Sequence, residues 1–278
     1  MTAPLLDVQN LRVSFPTHRG RVEVVKGISF SLGRERLGIV GESGSGKSMT
    51  GRSILRLIRA PGKVTADRLK FDGIDLLSQT EKQMRAIRGA RISMVMQDPK
   101  FSLNPVLTVG DQIAEALHYH TSLPRRDIRA RVLSMLEAVR INEPERVARL
   151  YPHEVSGGMG QRIMIAMMLI PEPELLIADE PTSALDVSVQ AQVLDIIDEL
   201  IRTKGMGLIL ISHDLNLVSR YCDRILVMNS GEVVEECEAK ALSQASHPYT
   251  KGLLAAMPRI DETREALPVL DRTAWAGT

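Results

Sequence analysis

Cysteine is scarce in this 278-residue chain. Cys222 and Cys237 are the two present, too few for a disulfide scaffold or a four-ligand zinc site, and they read as incidental thiols in a reducing compartment. Charge of one sign is lacking as well. The formal net charge is +1, so no broad field points to nucleic acid or an anionic membrane. Arg125, Arg126, Arg129 and Arg131 form the densest basic cluster and read as a solvated helix face. Long hydrophobic runs are missing: the longest apolar stretches, such as 163–170 and 208–211, fall far short of the roughly 20 residues a membrane-spanning helix needs. The opening MTAPLLDVQN has neither the basic nor the apolar region of a secretory signal. Internal repeats and low-complexity tracts are absent. A protein that works beside a membrane without crossing it is compatible with this composition.

What is present is alternation. Residues 5–15 and 22–32 are predicted as two strands around a polar turn at His18–Arg21. Leu37–Val40 is a compact apolar strand that ends at a glycine-rich loop. Beyond it Met49, Ile54, Leu57 and Ile58 recur at helical spacing until Pro61-Gly62. Buried strands are expected at 92–96, 175–178, 208–211 and 225–228, with a helix over 188–201. Strands alternating with helices predict an α/β fold with a mainly parallel sheet. Residues 98–165 offer helical spacing at Ile113–Leu117 and at Ile128, Val132, Met135, Leu136 and Val139 without a convincing strand, and are read as a helical insertion. The pattern weakens after about residue 240.

Gly41-Glu42-Ser43-Gly44-Ser45-Gly46-Lys47-Ser48 fits G-x-x-x-x-G-K-[ST] between a strand and a helix. The glycines let backbone N–H groups close around phosphates, and the helix N-terminus adds positive partial charge. Lys47 supplies a cation for the terminal phosphates, and the Ser48 hydroxyl can ligate magnesium. A second carboxylate and a water activator are then needed. Leu175–Glu180, LLIADE, offers both: Asp179 for the metal and Glu180, on the other side of the strand, to polarise the attacking water. ILISHD at 209–214 ends another strand, from which His213 could hydrogen-bond a γ-phosphate. Asp179, Glu180 and His213 taken singly are more often loop or structural residues; the P-loop changes their weight.

Val155-Ser156-Gly157-Gly158-Met159-Gly160-Gln161-Arg162 resembles the signature loop of ABC-transporter ATPases. Further motifs follow in that family's order: Gln97 resembles its Q-loop glutamine, also a magnesium contact, 183–186 (SALD) its D-loop with Asp186, His213 its switch histidine, and Phe15 the aromatic that stacks on adenine. The resemblance spans about residues 5–258. QDP at 97–99 with SLNP at 102–105, YPHE at 151–154, ADEPTSALDVSVQAQ at 178–192 and HPYT at 247–250 narrow it to the oligopeptide, dipeptide and nickel importer branch. It implies an ABC nucleotide-binding domain over 1–240, a P-loop NTPase core with an N-terminal antiparallel β portion and a helical subdomain near 98–165, followed by a C-terminal extension at 241–278.

It further implies ATP and Mg2+ as ligands and transport-coupled ATP hydrolysis. Two ATPase subunits would face each other head to tail, with Ser156, Gly157, Gly158 and Gln161 serving the facing subunit's ATP. The implied partners are a second ABC ATPase subunit, two transmembrane permease subunits and an extracytoplasmic solute-binding protein, with no nucleic acid. The implied place is the cytoplasmic face of the membrane. Gly160 stands where a polar or basic residue is commoner, and a glycine there costs about 1 kcal/mol of helix propensity, so a weaker local helix is expected. Relatives with a cysteine cluster in a longer tail differ from this chain, and no iron–sulfur cluster is expected. Nickel or another small solute is the nearest alternative cargo. A soluble ABC-type ATPase, an ATP-holding module without turnover and a small-molecule kinase are more distant readings.

Overall fold

A computed structural model describes residues 3–18, 20–96, 103–183 and 185–256. Its strands are β1 (Leu6–Thr17), β2 (Gly20–Leu32), β3 (Arg36–Val40), β4 (Lys63–Thr65), β5 (Arg68–Phe71), β6 (Ile74–Asp75), β7 (Ile92–Val95), β8 (Leu175–Asp179), β9 (Gly207–Ser212), β10 (Arg224–Asn229) and β11 (Glu232–Glu238). The helices are α1 (Lys47–Ile54), α2 (Glu81–Ile87), α3 (Val109–His120), α4 (Arg125–Ala138), α5 (Pro144–Val147), α6 (Gly157–Leu169), α7 (Val187–Lys204), α8 (Leu215–Tyr221) and α9 (Pro248–Ala256). The chain divides into two compact units, and the division falls inside β9.

The first unit comprises Met1–Leu32, Arg36–Ile74 and Leu210–Thr278. Its N-terminal portion is antiparallel, as expected from the two alternating segments. β1 pairs with β2 through Leu6↔Leu32, Val13↔Val25 and Phe15↔Val22. β1 also pairs with β4 through Arg12↔Thr65 and with β5 through Leu6↔Phe71. Alternate residues of β5 are buried, the two-residue period of a half-buried strand. Asp72 and Gly73, at φ 47° and 76°, turn the chain from β5 to β6 as hairpin turns require. The other sheet portion is parallel: β10 lies beside β3 with Ile225↔Gly38 and Val227↔Val40, and β11 returns antiparallel on its edge. Leu37, Ile39 and Val40 are wholly buried, the apolar run of a strand covered on both faces. α8 packs on β3.

The second unit comprises Gly33–Glu35 and Asp75–Ile209. β7 and β8 run parallel with Ile92↔Leu175 and Val95↔Ala178, and every residue of both is buried. Thr80 and Gln83 close a reciprocal capping box at the start of α2. Between 103 and 169 the described residues contain helices and no strand, the expected insertion. α4 buries Ile128, Val132, Met135 and Leu136 and exposes Arg125, Arg126, Arg129 and Arg131, so the basic cluster is a solvated face.

One local expectation is corrected. α1 ends at Ile54 rather than running to Ile58, because Arg56 takes φ 52°, which leaves Leu57 exposed at 41%. α6 passes through Gly160 unbroken, with the Gly160 N–H donating to the Ser156 carbonyl at 2.8 Å. The buried surface of the helix outweighs the glycine's propensity cost there. Among the described residues, no helix is long and apolar enough to cross a membrane.

Candidate functional site

The glycine-rich loop joins β3 to α1 in the first unit. Gly46, at φ 99°, precedes α1; no side chain caps the helix, and its first turn carries no acid. Its N-terminal N–H groups are therefore offered outward, where an anion is favoured. Lys47 is buried at 5% exposure, and its ammonium donates to the carbonyl oxygens of Gly41 and Glu42 at 2.8 Å each. These carbonyls hold the buried ammonium at the loop, where its charge favours an arriving phosphate. Gly41 and Gly46 are required twice over. Both have positive φ, and a Cβ would stand 2.1 Å from the Met228 carbonyl oxygen at the first and 2.5 Å from that of Val24 at the second. Ser43 and Gly44 are exposed at the tip, and Ser48 is half-buried.

Two supports hold this loop from behind. The Gly231 N–H, from the turn between β10 and β11, donates to the Ser45 carbonyl at 3.1 Å. The Glu42 N–H donates to the Tyr249 hydroxyl at 3.0 Å. Sequence reading assigned Tyr249 to a C-terminal motif and gave it no role at the loop. Nothing short of the fold could show a contact across that many residues.

His213 also belongs to the first unit. It follows β9 and is exposed, fixed between two short bonds: the Asp214 N–H donates to Ser212 Oγ at 3.0 Å, and Asp214 Oδ1 caps α8 by accepting from Asn216 and Leu217. Phe15 is half-buried on β1. A Cβ at Gly62 would lie 2.6 Å from its ring, so the ring stands against the turn at Pro61-Gly62.

The remaining residues belong to the second unit. Asp179 ends β8 with 3% exposure. Glu180 is half-buried and adopts φ 47°, a left-handed conformation that costs a non-glycine residue about 1–2 kcal/mol and is characteristic of functional positions. Its carbonyl accepts from the Ser183 N–H and hydroxyl. Asp186 precedes α7 without capping it and is exposed. Ser156 caps α6, accepting from the Met159 N–H at 3.3 Å. Ser156 and Gly157 are exposed, and a Cβ on Gly157 would meet nothing within 4 Å.

Gln161 is 1% exposed, about one turn into α6, and its amide donates to the Pro181 carbonyl of its own chain. That bond links α6 to the peptide after Glu180. Gln97 and Ala184 lie outside the described residues, as do Asp98, Pro99, Ser102 and the tail from residue 257.

An uncapped helix start, a buried ammonium and an open glycine tip fit the phosphates of a nucleotide. No cluster of three or more acidic, histidine or cysteine ligands occurs among the described residues. The Asp179 carboxylate and the Ser48 hydroxyl are oxygen donors of the kind magnesium takes, which is commonly held by one or two carboxylates together with substrate phosphates. Fold and loop together define a P-loop nucleoside triphosphatase.

Comparison with known proteins sharpens the class. Residues 25–183 match the ABC transporter family. The dipeptide transport ATP-binding protein DppD of Bacillus subtilis is 50% identical over 272 residues, covering 97% of this chain and 81% of that protein. The oligopeptide transport ATP-binding protein OppD of the same organism is 44% identical over 277 residues, covering 99% and 76%. Among solved structures, the dimeric post-hydrolysis state of the ATP-binding cassette MJ0796 bound to ADP and Pi is similar with a TM-score of 0.76 at 26% identity, covering 84% of this chain and 98% of that one. The chain belongs to the ABC transporter family, and it is an ATPase of that family.

Proposed function

We propose that this chain is the ATP-hydrolysing subunit of a peptide importer. The observation that carries the proposal is the 50% identity, over nearly its whole length, to a dipeptide transport ATP-binding protein. On this reading the N–H groups of 43–48 and the Lys47 ammonium hold the triphosphate, and Phe15 stacks on the adenine. Ser48, Asp179 and Gln97 hold Mg2+, which supplies charge neutralisation at the phosphates. Glu180 orients and polarises the attacking water, and His213 hydrogen-bonds the γ-phosphate.

Ser156, Gly157 and Gly158 serve the nucleotide of a facing ATPase subunit. The exposure of Ser156 and Gly157 at the start of α6 supports that role, since a helix N-terminus offers donors to an anion. ATP then holds the two subunits closed, and hydrolysis releases them. The chain sits on the cytoplasmic face of the membrane, bound to two permease subunits, and the solute arrives from an extracytoplasmic binding protein. In the second unit, a groove of about 860 Å3 between α3 and α4 supports docking of a permease helix. Ala114, Ile128 and Val132 line it together with Glu115 and Arg129, the mix of apolar floor and charged rim that receives an amphipathic helix.

ATP turnover by the membrane complex purified with this chain, with and without its solute-binding protein and a peptide pool, tests the proposal. Peptide should raise turnover, and Glu180→Gln should abolish the rise while ATP still binds. Turnover that ignores peptide but answers to nickel would replace the cargo; absence of any membrane partner would overturn the importer reading.

A further inference from the structure

Tyr249 is the largest fully buried side chain of the described residues, yet its hydroxyl is spent on a backbone N–H of the phosphate loop, that of Glu42 at 3.0 Å. That N–H shares its peptide plane with the Gly41 carbonyl, which accepts from the Lys47 ammonium at 2.8 Å, and the Glu42 carbonyl, in the next plane, accepts from the same ammonium at 2.8 Å and from the Ser45 N–H at 3.2 Å. The loop residue that Tyr249 grips is therefore the one that positions the phosphate-binding cation. Loss of an acceptor for this part-buried N–H would be costly, so the hydroxyl favours this conformation of the loop.

What presents the hydroxyl is a second construction. Glu235 of β11 accepts from the Ser246 N–H at 2.6 Å, the Ser246 hydroxyl at 3.1 Å and the His247 N–H at 3.3 Å. His247 Nδ1 in turn accepts from the Tyr249 N–H at 3.2 Å, and α9 continues from there with Lys251 N–H bonded to the His247 carbonyl. Burial pushes the Glu235 carboxyl up, but its polar surroundings, the donors of Ser246 and His247 among them, outweigh that and hold the pKa below the usual range. The carboxylate is thus ionised and fastens the turn to β11.

We infer that Tyr249 is a positioning residue for nucleotide binding, by which the C-terminal helix α9 sets the conformation of the phosphate loop. It touches no substrate; it acts through the Glu42 peptide and Lys47. Because coupling between two sites is reciprocal, nucleotide in the loop also tightens the seat of α9. The C-terminal element thereby becomes a place from which nucleotide affinity can be adjusted. The inference rests on the P-loop as the nucleotide site.

The test uses the purified full chain and ADP. Tyr249→Phe keeps the ring and removes the hydroxyl. Its melting temperature without nucleotide should fall by no more than a few degrees, the cost of one part-buried hydrogen bond, while ADP binds about threefold to tenfold more weakly, the range expected for one lost hydrogen bond. In the transport complex, KM for ATP should rise with kcat nearly unchanged. In the unaltered chain, ADP should slow hydrogen exchange across residues 248–256, a readout independent of any variant's folding.

Unchanged ADP affinity in Tyr249→Phe overturns the inference, as does a melting temperature that falls while affinity holds, or α9 exchange indifferent to ADP. Lys47→Ala separates the two levels. If it binds ADP as well as the unaltered chain, the site assignment has failed; if it does not, and Tyr249→Phe does, only the role of Tyr249 has failed.

Discussion

Gly38 sits in the middle of β3, two residues before the end of the strand, under helix α8. A Cβ there would lie 1.9 Å from Cγ1 of Val218 and 3.3 Å from Sγ of Cys222. Carbon atoms rest at about 3.5–4.0 Å, so Gly38→Ala forces strand and helix apart by about 1.6 Å or drives Val218 off its rotamer. Overpacking of this kind costs about 1–3 kcal/mol, a fall in Tm of about 3–10 °C for a chain near this size.

Val218 is wholly buried, and Val218→Ala alone costs about 2 kcal/mol, two methyl groups plus a small cavity. The offending atom is one of those methyls. The double variant should therefore be less destabilised than the sum of the singles by at least about 1 kcal/mol. Thermal unfolding followed by calorimetry gives the four corners of the cycle. ATP turnover gives a second reading, because α8 begins just after His213 and Asp214, and displacing it carries the His213 backbone along. Gly38→Ala should lose turnover, and Val218→Ala should restore part of it. Strict additivity of the two substitutions would refute the contact as the cause.

Gln161→Leu leaves the Pro181 carbonyl without its buried donor and should cost about 1–3 kcal/mol. Turnover at saturating ATP should fall while ATP affinity holds, since the lost bond lies beside Glu180; equal turnover would separate α6 from the Glu180 peptide. The Arg36 guanidinium, bonded to Asp223 at 2.6 Å, together with the Arg36 N–H outweighs burial and holds the Asp223 carboxyl below the usual range. A depressed carboxyl stabilises the fold above its ordinary pKa of about 3.9 and loses that contribution as pH falls through the folded value. Asp223→Asn should therefore lower the melting temperature at neutral pH, with the gap from the unaltered chain closing under acid; a gap constant with pH would contradict the assignment.

Much of this architecture was legible in the chain because its elements announce themselves chemically. The buried strands β3, β7, β8, β9 and β10 are apolar runs, and their expected bounds differ from the observed ones by at most one residue at either end. The phosphate loop was readable because it needs glycine at Gly41 and Gly46 and a cation at Lys47, and few other loops do. What escaped was either short or non-local. β4, β5 and β6 are strands of two to four residues whose pairing, β4 and β5 with β1 and β6 with β5, is decided by tertiary contacts, although the alternation in β5 and the Asp72-Gly73 turn were visible signals. No residue of β11 is fully buried, and it carries no long apolar run to mark it. The bond from Gln161 to Pro181 was not legible either, because a residue's place in a motif says which loop it belongs to, not which way α6 rotates it. Tyr249 was read as part of a C-terminal motif, and the partner of its hydroxyl lies 207 positions away.

The left-handed backbone at Glu180 has a practical consequence for anyone improving this protein in the laboratory. Glycine would relieve that conformation at no steric charge, so a library screened for heat resistance alone would drift towards Glu180→Gly and enrich sturdy, idle molecules. Thermal survival is an unsafe proxy at this one position. Selection has to be read out through turnover, or residue 180 withheld from the library.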